Sequence, residues 1–437
     1  MRPLMMLATA LLLTSLVSAV SPNSLQAECA DVKTCRQLAL EASERGDVEA
    51  FHDLAWRALQ KARPNDPDLM YLLARAQSLS GRPHDALVML RRMAEAGVKT
   101  DAETNDDFRR VRALPGWEPF ASGIAAGAGD VRVASNAKVG TKATGSTGAP
   151  LTGERETVGE NASADGVVSF VTPPFVPAGL AYDSVSRRFI VGDREASKLM
   201  VIDEMSRRVS DMVAARSGGF LGLTALEIDH RRGDLWVASA AADSTRTTLH
   251  KLQLVSGRVL HAVEMPADNG RFVDVAITAG GAVFVLDAGG GGVLKARSAT
   301  RGFERAIAVG KPGVTSLAAA DERTLYVSHE GGIVRVDLTA RAVSVVRGGA
   351  RGRLAGLRHI RWHRGSLVGV QAAQDGALRV VRIRLNRAGT AATSVDPLEG
   401  ADGIVDPTAL TVVDGVLFYL TRLDARPGLS IRRLPLR

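Results

Sequence analysis

The chain has 437 residues, enough for two or three domains, and its mix of 46% hydrophobic and 23% charged residues is that of a globular protein. It excludes a collagen-like, coiled-coil or wholly disordered chain. The formal net charge of +8 favours anionic partners, yet no nucleic-acid motif accompanies it, and beyond the first twenty residues no stretch is apolar for long enough to span a bilayer.

Met1-Arg2-Pro3 followed by the apolar run Leu4 to Val20 has the charged start and short hydrophobic body of a secretory signal peptide. It is assigned to residues 1–27, with cleavage after Ala19 or Ala27, and it implies a periplasmic or secreted protein. The two cysteines, Cys29 and Cys35, lie just beyond. An oxidising compartment would let them pair, but six residues of helix rise about 9 Å, so Cys29 would have to fold back from an extended leader. Two unpaired thiols are the alternative.

Residues 28–120 carry a helical period. Cys35, Leu38, Ala39 and Ala42 line one face, and Ala50, Phe51, Leu54, Ala55 and Ala58 line the next. A second pair follows through Met70, Leu73, Ala74 and Gln77, then Ala86, Leu87, Leu90 and Met93. Gly46 recurs as Gly81, and Asp66-Pro67 has the form of a helix start. Residues 121–165 are Ala, Gly, Ser and Thr with scattered charges, a flexible tether. Cutting it is expected to yield two folded pieces.

Residues 166–437 repeat one pattern six times. Strands begin at Phe189, Leu235, Val283, Leu325, Leu367 and Leu417, separated by 46, 48, 42, 42 and 50 residues. Before each lies an inner strand anchored by Leu180, Leu226, Val275, Leu317, Ile360 or Leu410, and Asp or Gly turn formers sit between. This period predicts a six-bladed β-propeller. The last blade lacks a fourth strand of its own, and Val167 to Val171 is expected to supply it and close the ring. The fold class is therefore multidomain: a short all-α helical region and an all-β six-bladed propeller.

Pro67-Asp68-Leu69-Met70-Tyr71, through Gly81-Arg82 to Ala86-Leu87, resembles a tetratricopeptide repeat, which implies either a peptide or protein partner for the helices or a brace for the propeller. Pro177-Ala178-Gly179-Leu180-Ala181-Tyr182-Asp183 with Arg188-Phe189-Ile190-Val191 resembles the superfamily of gluconolactonase, senescence marker protein and luciferin-regenerating enzyme. Leu235-Trp236-Val237-Ala238-Ser239-Ala240, Arg271-Phe272-Val273-Asp274-Val275-Ala276 and Gly365-Ser366-Leu367-Val368-Gly369-Val370-Gln371 carry the same likeness. It implies calcium or zinc at the channel mouth, held by carboxylates and amides two residues before each anchor. Those positions are Ala178, Thr224, Val273, Thr315, Arg358 and Thr408 here, and none is a carboxylate. A fixed positive charge at Arg358 would repel a dication. The metal site therefore reads as dismantled, with no cofactor expected.

The same end of the ring gathers Asp274, Arg358 and His359 with the strand ends Asp193, Asp287 and His329. These six are the candidate ligand-binding residues. Asp193 and Asp287 also suit plain turn formation. Arg358 is expected either to meet an anionic ligand or to pair with Asp274. An arginine run from Arg341 to Arg387 could attract an anionic small molecule or a cell-envelope polymer, or form a solvated strand face. The sequence reads as an exported, non-catalytic binding or scaffold protein. A divergent lactonase-type hydrolase is the alternative, and only that reading needs calcium or zinc.

Overall fold

The computed structural model describes residues 29–118, 120–121, 131–132, 167–170, 175–243, 246–265, 270–297, 302–348, 353–373, 376–398, 407–422 and 429–436. Residues 1–27, read from the sequence as a signal peptide, and nearly all of 121–165, read as a tether, lie outside the described residues.

Four helices follow one another as two antiparallel pairs: α1 (Val32–Glu44), α2 (Val48–Lys61), α3 (Pro67–Leu79) and α4 (Pro83–Glu95). Aspartates start three of them. Asp31, Asp47 and Asp66 each accept a hydrogen bond from an N–H in the first turn, at 2.8, 3.1 and 3.1 Å, satisfying donors that no earlier turn can reach. Gly46 and Gly81 end α1 and α3 with φ of 73° and 80°, a left-handed conformation that explains why glycine recurs there. Cys29 and Cys35 are joined as a disulfide with their Cα atoms 4.8 Å apart. That pairing is possible because α1 begins only at Val32, leaving Cys29 on non-helical chain.

The chain enters the propeller through β1 (Val167–Phe170), which does not belong to the first blade. Blade 1 is β2 (Pro177–Asp183), β3 (Arg188–Asp193), β4 (Lys198–Asp203) and β5 (Val209–Val213). Blade 2 is β6 (Gly222–Asp229), β7 (Asp234–Ala240), β8 (Thr247–Gln253) and β9 (Val259–Met265). Blade 3 is β10 (Phe272–Ile277), β11 (Val283–Asp287), β12 (Gly292–Arg297) and β13 (Gly302–Ala308). Blade 4 is β14 (Ser316–Ala319), β15 (Thr324–His329), β16 (Gly332–Asp337) and β17 (Ala342–Val345). Blade 5 is β18 (Leu357–His363), β19 (Ser366–Ala372), β20 (Leu378–Leu385) and β21 (Ala392–Pro397). Blade 6 is β22 (Ala409–Val413), β23 (Val416–Arg422) and β24 (Leu429–Pro435), completed by β1.

The pairing that closes the ring is antiparallel and sets Leu429 opposite Phe170 and Ile431 opposite Val168. The inner strands β2, β6, β10, β14, β18 and β22 neighbour one another in that order and return to β2, enclosing a central channel. All six anchor residues are buried to 1% exposure or less. The turns between inner and second strands form as their residues require. Asp183, Asp229 and Asp321 accept N–H groups two or three residues on, and Gly281, Gly365 and Gly415 have φ between 77° and 85°.

The helical unit packs against the face where these turns lie. Trp56 of α2, 1% exposed, donates its indole N–H to the carbonyl of His230 at 2.9 Å, and Gln60 donates to the same oxygen at 2.8 Å. From α4, Asp85 accepts the Ser256 N–H at 3.0 Å. Gly233 has φ of 66°, and a β-carbon there would come within 3.0 Å of the Trp56 ring. One continuous core runs from Phe51 and Leu73 to Val185, Leu254 and Val255 of the first two blades.

Removing residues 166–171 is expected to lower stability by several kcal/mol, on the order expected when apolar side chains and a strand's hydrogen bonds are lost together. An unchanged unfolding midpoint would show that the ring does not need β1. Proteolysis of the tether should leave the helical unit and the propeller eluting together, with Trp56→Ala separating them. Separate elution of the cut wild-type pieces would contradict the docking described above.

Candidate functional site

Two rings of side chains flank the anchors along the inner strands. One residue before each anchor stand Gly179, Ala225, Asp274, Ser316, His359 and Ala409. One residue after stand Ala181, Glu227, Ala276, Ala318, Arg361 and Thr411. Eight of the twelve are Gly, Ala, Ser or Thr. The channel's chemistry is concentrated in Asp274, Glu227 and Arg361.

Asp274 is 3% exposed, and such a buried carboxylate is costly unless it is fully paired. It accepts N–H groups from Val275 and Leu317, each at 2.9 Å, and the hydroxyl of Ser316. Arg361 adds a forked contact, its two terminal nitrogens 3.2 and 3.4 Å from the two Asp274 oxygens. Ser316 in turn accepts the Ile360 N–H at 2.9 Å, so blades 3, 4 and 5 are laced together through this one carboxylate.

The other side of Arg361 faces Glu227, with Nε 3.2 Å from the carboxylate. That N–H has no aligned hydrogen-bond acceptor, so charge rather than a directed bond holds the pair. Burial pushes the Glu227 carboxyl up to about 7, a rise that Arg361 opposes and Asp274 reinforces. Glu227 and Arg361 line a cavity of about 230 Å³, which runs from the middle of the channel to the turn face beside His230, Arg231 and Thr278.

The six candidate residues separate in the structure. Asp274 and His359 come together: His359 is half-buried at a φ of 50°, its imidazole lowered to about 4, first by burial, against the nearby Asp274 charge. Arg358 is exposed, and the pairing with Asp274 that the sequence suggested for it is made by Arg361. Arg361 follows its anchor as Glu227 follows its own, whereas Arg358 lies beyond a register shift of β18 against β19 that also occurs in the inner strands of blades 1, 2 and 3.

Asp193 accepts the N–H groups of Glu195 and Ala196 at 3.2 Å, and Asp287 those of Arg271 and Gly289 at 2.7 and 3.0 Å. Both stabilise turns. His329 takes the Gly331 N–H at 3.1 Å, and its imidazole is lowered by burial and then by Lys311. Glu227 had escaped sequence reasoning altogether. The signal was present: Glu227 and Arg361 are the single acid and single base among the six residues that follow the anchors.

Calcium or zinc requires several converging ligands. Among the described residues no group of three or more His, Cys, Asp or Glu side chains is placed to hold a metal ion. Where two carboxylates converge, a guanidinium already stands between them. The residues present do not fit the metal that the sequence resemblance implied.

A helical unit packed on a six-bladed β-propeller is therefore the class this chain defines. Its sequence matches no family model and no curated protein. Among solved structures it is similar to virginiamycin B lyase from Staphylococcus aureus, at 12% identity over 62% of this chain and 88% of that one, TM-score 0.45. A gluconolactonase from Xanthomonas campestris is similar at 15% identity over 64% and 94%, TM-score 0.42. The nidogen/laminin complex is similar at 12% over 52% and 81%, TM-score 0.40. No residue role is carried over from them.

Because its carboxyl is raised in the folded state, Glu227 leaves stability intact below its unfolded value and diminishes it as the pH climbs through about 7. Glu227→Gln should accordingly match the wild type at pH 4 and exceed it at pH 8, by about 1–3 kcal/mol. A variant less stable at pH 8 would mean that attraction to Arg361 outweighs the cost of burying the charge.

Proposed function

We propose that this is an exported binding or scaffold protein, not a metal-dependent hydrolase, with the helical unit and the propeller acting as one assembly. The observation that carries the reading is Arg361, held between Glu227 and Asp274 where an acid-lined channel would otherwise offer ligands to a cation. A guanidinium cannot give up its proton, so it supplies a permanent positive charge and no Lewis acidity. The disulfide between Cys29 and Cys35 suits the oxidising compartment that a secretory leader implies. No helix among the described residues is long and apolar enough to cross a membrane.

One observation favours the alternative, a lactonase-type hydrolase. A carboxyl held near 7 beside a cavity, as Glu227 is, suits proton transfer at neutral pH. On that reading Glu227, rather than any of the strand-end aspartates, is the group that exchanges the proton.

Thermal unfolding of the mature protein with calcium, zinc or chelator tests the choice, because a metal bound only by the folded state raises the midpoint by mass action. Equal midpoints and no opening of a sugar lactone are expected. Lactone hydrolysis abolished by chelator would establish the hydrolase instead.

A further inference from the structure

The sequence points to the end of the channel where inner strands begin, yet the cavity opens at the other end, beside the helical unit. Its lining is two-sided. Ile277, Val412 and Trp362 contribute apolar surface, and Glu227, Asp229 and Arg231 line the polar side of a space of about 230 Å³.

The charges in the channel do not balance. Arg361 is matched by Asp274, which also has three further donors, whereas Glu227 faces only the flank of the same guanidinium. Arg231, at the cavity mouth, donates to the carbonyl of Gly280 at 2.8 Å and does not complete the count. One carboxyl thus borders the cavity with only the flank of a shared guanidinium beside it.

We propose that the cavity is a binding site for a small organic amine, its ammonium group on Glu227 and its hydrocarbon body along the apolar wall. The raised Glu227 carboxyl, a consequence of burial that Arg361 only partly offsets, leaves room for a second cation. A bound ammonium favours the carboxylate, so binding near neutral pH releases a proton. This deepens the binding reading and rests on it for the absence of further chemistry.

Isothermal titration of the full mature chain with phenethylamine tests the site, with 2-phenylethanol as its uncharged counterpart. Phenethylamine should bind at millimolar or lower concentration, with proton release seen as a heat that varies between buffers. Glu227→Gln should weaken it by at least about tenfold, the loss expected for a hydrogen bond to a charged group. Ala319→Leu should block the cavity while leaving Glu227 in place, and if that variant fails to fold, Glu227→Gln decides alone. No binding, equal binding of 2-phenylethanol, or undiminished binding by Glu227→Gln overturns the proposal. Metal-dependent lactone hydrolysis would defeat the binding reading without altering this titration, so the two failures are distinguishable.

Discussion

A ring of six sheets exists only if its ends are joined, and here the join is a four-residue strand. β1 pairs with β24 through Leu429 and Phe170, Ser430 and Ser169, Ile431 and Val168, and Arg432 and Val167. Without it blade 6 would end at an open edge, and the apolar cluster around Phe170, Phe418 and Leu429 would lose a wall. The channel depends on the same closure, because the inner strand of blade 6 is what brings β22 against β2.

Within the closed ring, one guanidinium connects blades that share no hydrogen-bonded strands. Arg361 of blade 5 reaches Asp274 of blade 3 and Glu227 of blade 2, while Ser316 of blade 4 bonds to the same aspartate. A buried cluster of this kind adds little net stability compared with apolar packing, since each charge must be stripped of water. It does fix geometry: removal of Arg361 would leave Glu227 without its cation and Asp274 with neutral donors alone. The chain therefore keeps polar specificity at the centre of an otherwise small-residue channel.

Much of this was legible in the sequence because the relevant forces are local. Turn formers at Asp183, Asp229, Gly281 and Gly415, and anchors such as Leu180 and Ile360, carry the blade pattern in single-residue preferences. Val167 was recognisable as the start of the missing strand because the blade count left an unpaired edge. The channel was less legible. Arg361, one residue after its anchor, reaches Asp274 in place of Arg358, and a repeat spacing does not show which of two neighbouring arginines enters the channel. Docking of the helices was invisible, since Trp56 and Gly233 meet only after both units have folded, and neither residue departs from what its own element would use.

The closing strand has a consequence for biosynthesis. β1 is made before any blade, yet its partner β24 follows about 260 residues later, so the ring cannot close until that strand has been made. Until β24 is released, β1 has no partner and the edge of blade 6 is uncovered. A chain stopped short of Leu429 would hold five complete blades and still fail to close, presenting unpaired strand edges to proteases. Placing the seam between the two ends of the domain thus makes synthesis of β24 the condition for a resistant fold, and copies that lack it identify themselves by remaining open.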